Sequence, residues 1–333
     1  MWFRFISFLI FSFSSLINAQ GQNFLGDTLA QGQQFVSVEV SMSDWYSGGD
    51  YVNNASTTGI NDSLRGFSSA NTKGYGAKTL LIYKYGLTQD ISLGVKYGYN
   101  YQKNEMNIES FEGGAFTGDW IIEGGSDLSI LGAYGLDESS SVDFFIDLPI
   151  CSSEKLKGLC QNKLATPDNA IQMGESGAQG KGFYRFGMSL SSNWITEMDT
   201  HWMGSIFASA ASSDKINGQK VTAPFTYGAS FGSVSQIKLN HAWTGMLRLT
   251  RMFDYVSYST QAQAKVKYND HSRLAFTGEY LWDFMPNAQL RPFVEFAMVQ
   301  LPTQSFNSEG QRRSIEFTSG TNVIIGLILN TTF

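Results

Sequence analysis

Acid–base chemistry at neutral pH leans on imidazole, and this chain has three histidines, His201, His241 and His271. A Ser–His–Asp or His–carboxylate site needs one of them within hydrogen-bond reach of the hydroxyl or water it activates. Asp270-His271-Ser272 sets the three types side by side, yet adjacent side chains on a turn point apart, and polar turn residues account for them. No Gly-rich phosphate loop follows a strand, and nothing has metal-ligand spacing. The sequence therefore predicts no enzyme, no cofactor and no metal site. Cys151 and Cys160 lie close together in a polar segment with Lys155 and Lys157, which predicts a small disulfide loop in an oxidising compartment. The net charge of −6 gives no reason to expect nucleic acid.

A second set of chemically capable residues is spaced differently. Lys78, Lys84, Lys96, Arg185, Arg248, Lys265, Lys267 and Arg273 alternate with apolar neighbours along their segments, and so do Glu39, Asp143, Asp147, Glu279 and Glu295. Charges at period two lie on one face of a strand, opposite the greasy face. Lining a lumen, they could set a transverse field that selects polar solutes. Alternatively they pair with one another and fill a narrow barrel.

The elements that must carry these residues show the same period. From Tyr75 to Tyr101 two strands fold back at Gly86-Leu87-Thr88-Gln89-Asp90. In the second, Ile91, Leu93, Val95, Tyr97, Tyr99 and Tyr101 alternate without a miss against Ser92, Gly94, Lys96, Gly98 and Asn100. Repeated around a closed sheet with the tyrosines outward, this hairpin presents its apolar face to lipid and its polar face to a lumen. Leu93 is then expected mid-membrane, and Trp45 and Tyr46 in an interfacial aromatic girdle. Charged residues are scarce at 16%, aromatics reach 14%, and 34 glycines against 6 prolines suit many strands joined by tight turns.

Residues 1–19 read as a secretory signal, with Arg4, an apolar run from Phe5 to Leu16, and Ala19 at the cleavage site. Residues 20–333 then read as one antiparallel transmembrane β-barrel with long extracellular loops near 47–72, 102–122 and 151–181. Val323, Ile325, Leu327, Leu329 and Phe333 fall on one face of a closing strand. It is similar to the terminal strand that bacterial outer-membrane barrels present to their assembly machinery, although Thr331 stands where an aromatic is common. Strand-like stretches include His201 to Ala210, Gln261 to Tyr268, Arg273 to Trp282 and Leu290 to Gln300. The inventory comes out odd, whereas both ends of such a barrel belong in the periplasm and demand an even number. Twelve strands are predicted, with fourteen as the alternative if Ser314 to Thr318 is one more. On this topology all three histidines sit near periplasmic turns.

Three stretches resemble a family of Gram-negative outer-membrane proteins named for the meta-pathway of phenol degradation, relatives in architecture of the fatty-acid channels. They are Tyr85-Gly86-Leu87-Thr88-Gln89-Asp90-Ile91-Ser92-Leu93-Gly94-Val95, Gly124-Gly125-Ser126-Asp127-Leu128-Ser129-Ile130-Leu131-Gly132-Ala133-Tyr134 and Phe144-Phe145-Ile146-Asp147-Leu148-Pro149. Ser126 stands where the family often has Gly. The resemblance covers the first half of the chain and implies a barrel that passes small hydrophobic or aromatic compounds. It supplies no catalytic residues. The expected partners are outer-membrane lipid, the assembly machinery and a small solute, with the barrel working as a monomer. The competing expectation is a non-conducting structural or adhesive barrel that acts through its loops.

Overall fold

The structure is a computed structural model describing residues 28–50, 67–110, 115–137, 139–150, 184–195, 201–216, 219–222, 225–259, 264–300, 304–308, 311–315 and 319–333. Among these residues the chain forms strands and no helix. The first half holds β1 (Gln34–Asp50), β2 (Phe67–Gly86), β3 (Ile91–Ser110), β4 (Ala115–Gly125), β5 (Leu128–Gly135), β6 (Ser140–Leu148) and β7 (Arg185–Ile195). Then follow β8 (His201–Ala211), β9 (Ser213–Ile216), β10 (Gln219–Thr222), β11 (Thr226–Lys238), β12 (His241–Met252) and β13 (Tyr255–Ser259). The last are β14 (Ala264–Tyr268), β15 (His271–Met285), β16 (Ala288–Gln300), β17 (Gln304–Ser308), β18 (Gln311–Ile315) and β19 (Ser319–Thr332).

Antiparallel pairing runs β1-β2-β3-β5-β6-β7-β8-β11-β12-β15-β16-β19. The ring closes where β19 returns to β1, from Phe35↔Thr332 to Ser47↔Gly320. This is a twelve-stranded barrel with one extra strand, β4, which pairs with the upper part of β3 (Tyr99↔Gly125 to Glu109↔Ala115) above β5 (Ile91↔Tyr134 to Lys96↔Ser129). β4 and β5 are thus one ring position interrupted by a bulge. Ser126 holds the seam there: its N–H donates to Gly98 O, and its Oγ accepts from the Gly98 N–H, each at 2.8 Å.

Two strand assignments change. The stretch Gln261 to Tyr268 contains β14, which pairs with β13 and β17 and is absent from the ring. The candidate fourteenth strand overlaps β18, which pairs with β17. Both belong to a separate six-stranded sheet, so the hydrophobic alternation that suggested barrel strands reflects a two-faced sheet outside the wall. Two loops shrink as well. β1 and β2 stay paired to Asp50↔Ser69, and 102–122 is mostly strand, because β3 and β4 pair as far as Glu109↔Ala115. At 20 residues β2 and β3 exceed the roughly 9–11 residues a tilted strand needs to cross, so the hairpin continues as a ribbon beyond the bilayer. Residues 1–19 and 151–181, including Cys151 and Cys160, lie outside the described residues.

The alternation has physical content on both faces. Val40, Met42, Leu81, Leu93, Leu247, Phe276, Val294 and Ile325 are exposed outward, while Ser37, Glu39, Ser92, Asp143, Ser189 and Asn330 are buried inside. A closed sheet satisfies every ladder hydrogen bond, the condition for crossing hydrocarbon, and its greasy outer face replaces the core of a soluble protein. Several glycines make room for a ring directly across the ladder: a Cβ on Gly132 would sit 2.0 Å from Phe144, and one on Gly187 2.1 Å from Phe145. Such ring-over-glycine pairs fill the wall on either face of the ladder.

Candidate functional site

The start of β1, the end of β19 and the short turns share one end of the barrel, the periplasmic one, where residues 28–33 fold against the inner wall. Leu29 N–H donates to Ser92 Oγ (2.6 Å), and Gly86 exchanges hydrogen bonds with Gly32 and Gln33 (2.9 Å each). Leu29 is buried there. Two apolar patches occupy the same half of the inner face: Leu80, Ile82, Leu131 and Phe145 with Phe35, and Met203, Val234, Ala242, Met246 and Leu281.

Between and above these patches the inner face is charged. On β6 and β7, Asp147 accepts from Arg185 Nε (2.8 Å) and Nη2 (2.7 Å) and from Ser129 Oγ (2.6 Å). The Phe145 ring lies 5.0 Å from the Arg185 guanidinium and 5.8 Å from Lys96 Nζ. One aromatic ring thus has two cations within cation–π range. Asp143, beside it on the ladder, accepts from Ser189 Oγ at 3.3 Å, and Lys84 is the cation acting on it. On the neighbouring strands β1 and β2, Lys78 Nζ is 3.3 Å from Glu39 Oε1, which also accepts from Ser41 Oγ at 3.1 Å. Arg273 pairs with Glu295, and Thr277 Oγ1 donates to the same carboxylate at 3.2 Å. Arg291 pairs with Glu279, both essentially inaccessible. Arg248 extends along β12 with Nη2 3.9 Å from Met246 Sδ, and Glu279 and Glu295 are the anions acting on it.

The structure therefore brings Lys84, Lys96, Asp143, Asp147 and Arg185 together, with Lys78 and Glu39 beside them on β2 and β1, and places Arg248 and Glu279 with Arg273 and Glu295 in a second group on β12, β15 and β16. Lys265 and Lys267 are on β14 and join neither. Arg291 escaped the sequence reading because Pro292 breaks its apolar frame, although its parity with Phe293 and Glu295 carried the signal. Trp45 moves to the inner wall, where its ring packs over Gly74, while Tyr46 alone faces outward. Period two forbids adjacent residues from sharing a face.

The histidines separate too. His201 starts β8 and His241 starts β12 at the periplasmic end, where His241 stacks on Trp282 on the outer face at 6.3 Å. His271 starts β15 at the opposite, extracellular end, contrary to the sequence topology, because β14 lies outside the ring and shifts the chain by one crossing. Its side chain is buried on the inner face, with Nδ1 3.3 Å from Asn269 O and the ring 6.3 Å from Tyr255. Asp270 turns instead to Arg251. Among the described residues no group of three His, Cys, Asp or Glu side chains could hold a metal ion.

One strip of the wall is left with unused hydrogen-bonding capacity. Glu39 Oε2, Trp45 Nε1, Arg291 Nε and Nη1, Asn322 Oδ1 and Asn330 Oδ1 are buried without a protein partner among the described residues. All lie on the inner faces of the neighbouring strands β16, β19 and β1.

A closed barrel, polar inside and greasy outside, is built for lipid on its perimeter and belongs in the bacterial outer membrane. The chain is an outer-membrane β-barrel protein. No family model matches it, and no curated protein matches its sequence. Among solved structures it is similar to an outer membrane channel from Pseudomonas putida F1, at 11% identity over 94% of this chain and 100% of that one, TM-score 0.47. A Pseudomonas aeruginosa FadL homologue is similar at 10% identity over 92% and 93%, TM-score 0.41. The outer membrane protease OmpT from Escherichia coli is similar at 8% identity over 92% and 99%, TM-score 0.39. That protease corrects the expectation of no enzyme, since the solved structures similar to this chain include an enzyme as well as channels.

Proposed function

We propose that this barrel is a gated channel that passes small hydrophobic or aromatic solutes across the outer membrane. The observation that carries the reading is the strip of unpartnered polar atoms on β16, β19 and β1. A barrel that only filled itself would satisfy those groups or replace them with apolar ones, since each buried unsatisfied group costs about 1–3 kcal/mol. These atoms are closed to solvent in this conformation, and a path opening along β16, β19 and β1 would admit the water or solute that partners them. The adjacent apolar patches suit an aromatic or aliphatic body, and the charged walls suit the polar end or the water that accompanies it. Residues 28–33 stand at the periplasmic exit, held by few hydrogen bonds, and serve as its gate.

The finer readings belong to the same proposal. Lys78, Lys84, Lys96, Asp143, Asp147, Arg185, Arg248 and Glu279 line the path, and the meta-pathway phenol-degradation family is the kinship that best fits the three motifs. Residues 1–19 direct export and are removed, Cys151 and Cys160 form a disulfide, and β19 with Phe333 is what the assembly machinery reads before the barrel works as a monomer. The test is conductance in planar bilayers together with uptake of small aromatic solutes by a porin-deficient strain. Conductance or accelerated uptake is expected. Folded protein that yields neither refutes the channel and leaves a barrel acting through its outer surface.

A further inference from the structure

Beyond the outer rim, the hairpins β9–β10, β13–β14 and β17–β18 join into one sheet in the order β18-β17-β14-β13-β10-β9. Its register sorts residues by charge. Lys215 lies opposite Lys220, and Thr222, two positions from Lys220, lies opposite Val256. Val256 is opposite Lys267, and Tyr258 opposite Lys265. Lys267 is opposite Ser305, which leads to Ser314, and Asn307 is opposite Arg312. Alternation therefore puts the positions of Lys215, Lys220, Lys265, Lys267 and Arg312 on one face. The other face carries the one acidic residue in these strands, Asp214, opposite Val221, and a single basic one, Arg313, opposite Phe306. Like charges placed directly opposite, as at Lys215 and Lys220, destabilise a ladder unless an anion offsets them.

The side of the sheet follows from Tyr255. It belongs to the face without these five positions, and its ring is 6.3 Å from that of His271, which is buried on the inner wall of the barrel. That face, where Asp214 and Arg313 offset each other, thus adjoins the lumen, and the face with the five basic positions borders the perimeter just beyond the outer rim. We propose that this face binds the phosphate groups of lipopolysaccharide surrounding the barrel. Lysine and arginine make charge-assisted hydrogen bonds to phosphate oxygens, and each basic residue near an anionic membrane surface adds to binding. The inference does not depend on whether the lumen conducts.

The test titrates the folded full-length protein in a nonionic detergent with phosphorylated lipid A, with the same lipid stripped of its phosphates, and with inorganic phosphate as competitor. Folding is verified by heat-modifiable migration. The expected result is binding of phosphorylated lipid A that weakens with salt, is about tenfold or more tighter than that of the phosphate-free lipid, and withstands millimolar inorganic phosphate. Replacing Lys215, Lys220, Lys265, Lys267 and Arg312 together by Gln is expected to lower the affinity about tenfold or more, whereas Lys73→Gln with Lys103→Gln, on the β2–β3 ribbon, leaves it unchanged. A smaller preference for the phosphorylated lipid, displacement by inorganic phosphate, or a smaller loss in the five-residue variant overturns the proposal. Should that variant fail to fold, the comparison of the two lipids on the unaltered protein decides.

Discussion

Leu247→Arg and Leu93→Arg are the same substitution at two depths, and the structure separates them. Both leucines are on the outer face and about equally open, 49% and 40% exposed. Leu247 is six residues into β12 from its periplasmic end, which at about 3.3 Å per residue and a tilt near 40° puts it about 15 Å into the wall. Leu93 is two residues from the start of β3, only about 5 Å in by the same reckoning. Arginine on the lipid face costs about 2–4 kcal/mol at the bilayer midplane and about 0–1 near an interface. The sequence-based placement of Leu93 at mid-membrane is therefore corrected: Leu247→Arg carries the large cost, and Leu93→Arg a small one because its guanidinium reaches the headgroups. Reversible urea unfolding in lipid vesicles, followed by tryptophan fluorescence, measures both. Equal costs, or a cost below about 1 kcal/mol for Leu247→Arg, would show that this face does not meet hydrocarbon as assigned.

Inside the wall, Glu279→Leu leaves Arg291 buried without its partner and is expected to cost about 3–5 kcal/mol in the same assay. Adding Arg291→Met should return most of it, and failure of that rescue would mean the pair is not the dominant interaction of either residue. Gly187→Ala drives a methyl into the Phe145 ring and should cost about 1–3 kcal/mol, with Phe145→Leu in the same chain recovering part. If Cys151 and Cys160 are bridged, the unfolded protein takes up no alkylating reagent at either position until it is reduced; labelling without reductant would rule the bridge out.

How far the sequence reached can be judged on particular strands. The face of Leu93 and Tyr97, the opposite face of Lys96, and the inward aspartates of β6 were legible because a strand in a two-solvent environment must alternate. The miscounted Gln261–Tyr268 stretch shows the limit. A two-faced sheet outside the bilayer alternates just as a barrel strand does, and only pairing partners tell them apart. His271 changed ends for the same reason, since one miscounted crossing inverts everything until the next.

Local chemistry by itself settled which side of most strands is wet, that the chain closes into a barrel in the outer membrane, and roughly how many times it crosses, because those properties are written in neighbours one and two residues apart. The tertiary structure alone decided that Arg185 meets Asp147, that Arg291 meets Glu279, that Phe145 meets both Lys96 and Arg185, and that three hairpins merge into a sheet with one basic face. Those contacts join residues brought together by ring closure and register, and a ladder's register depends on every pairing around the ring at once.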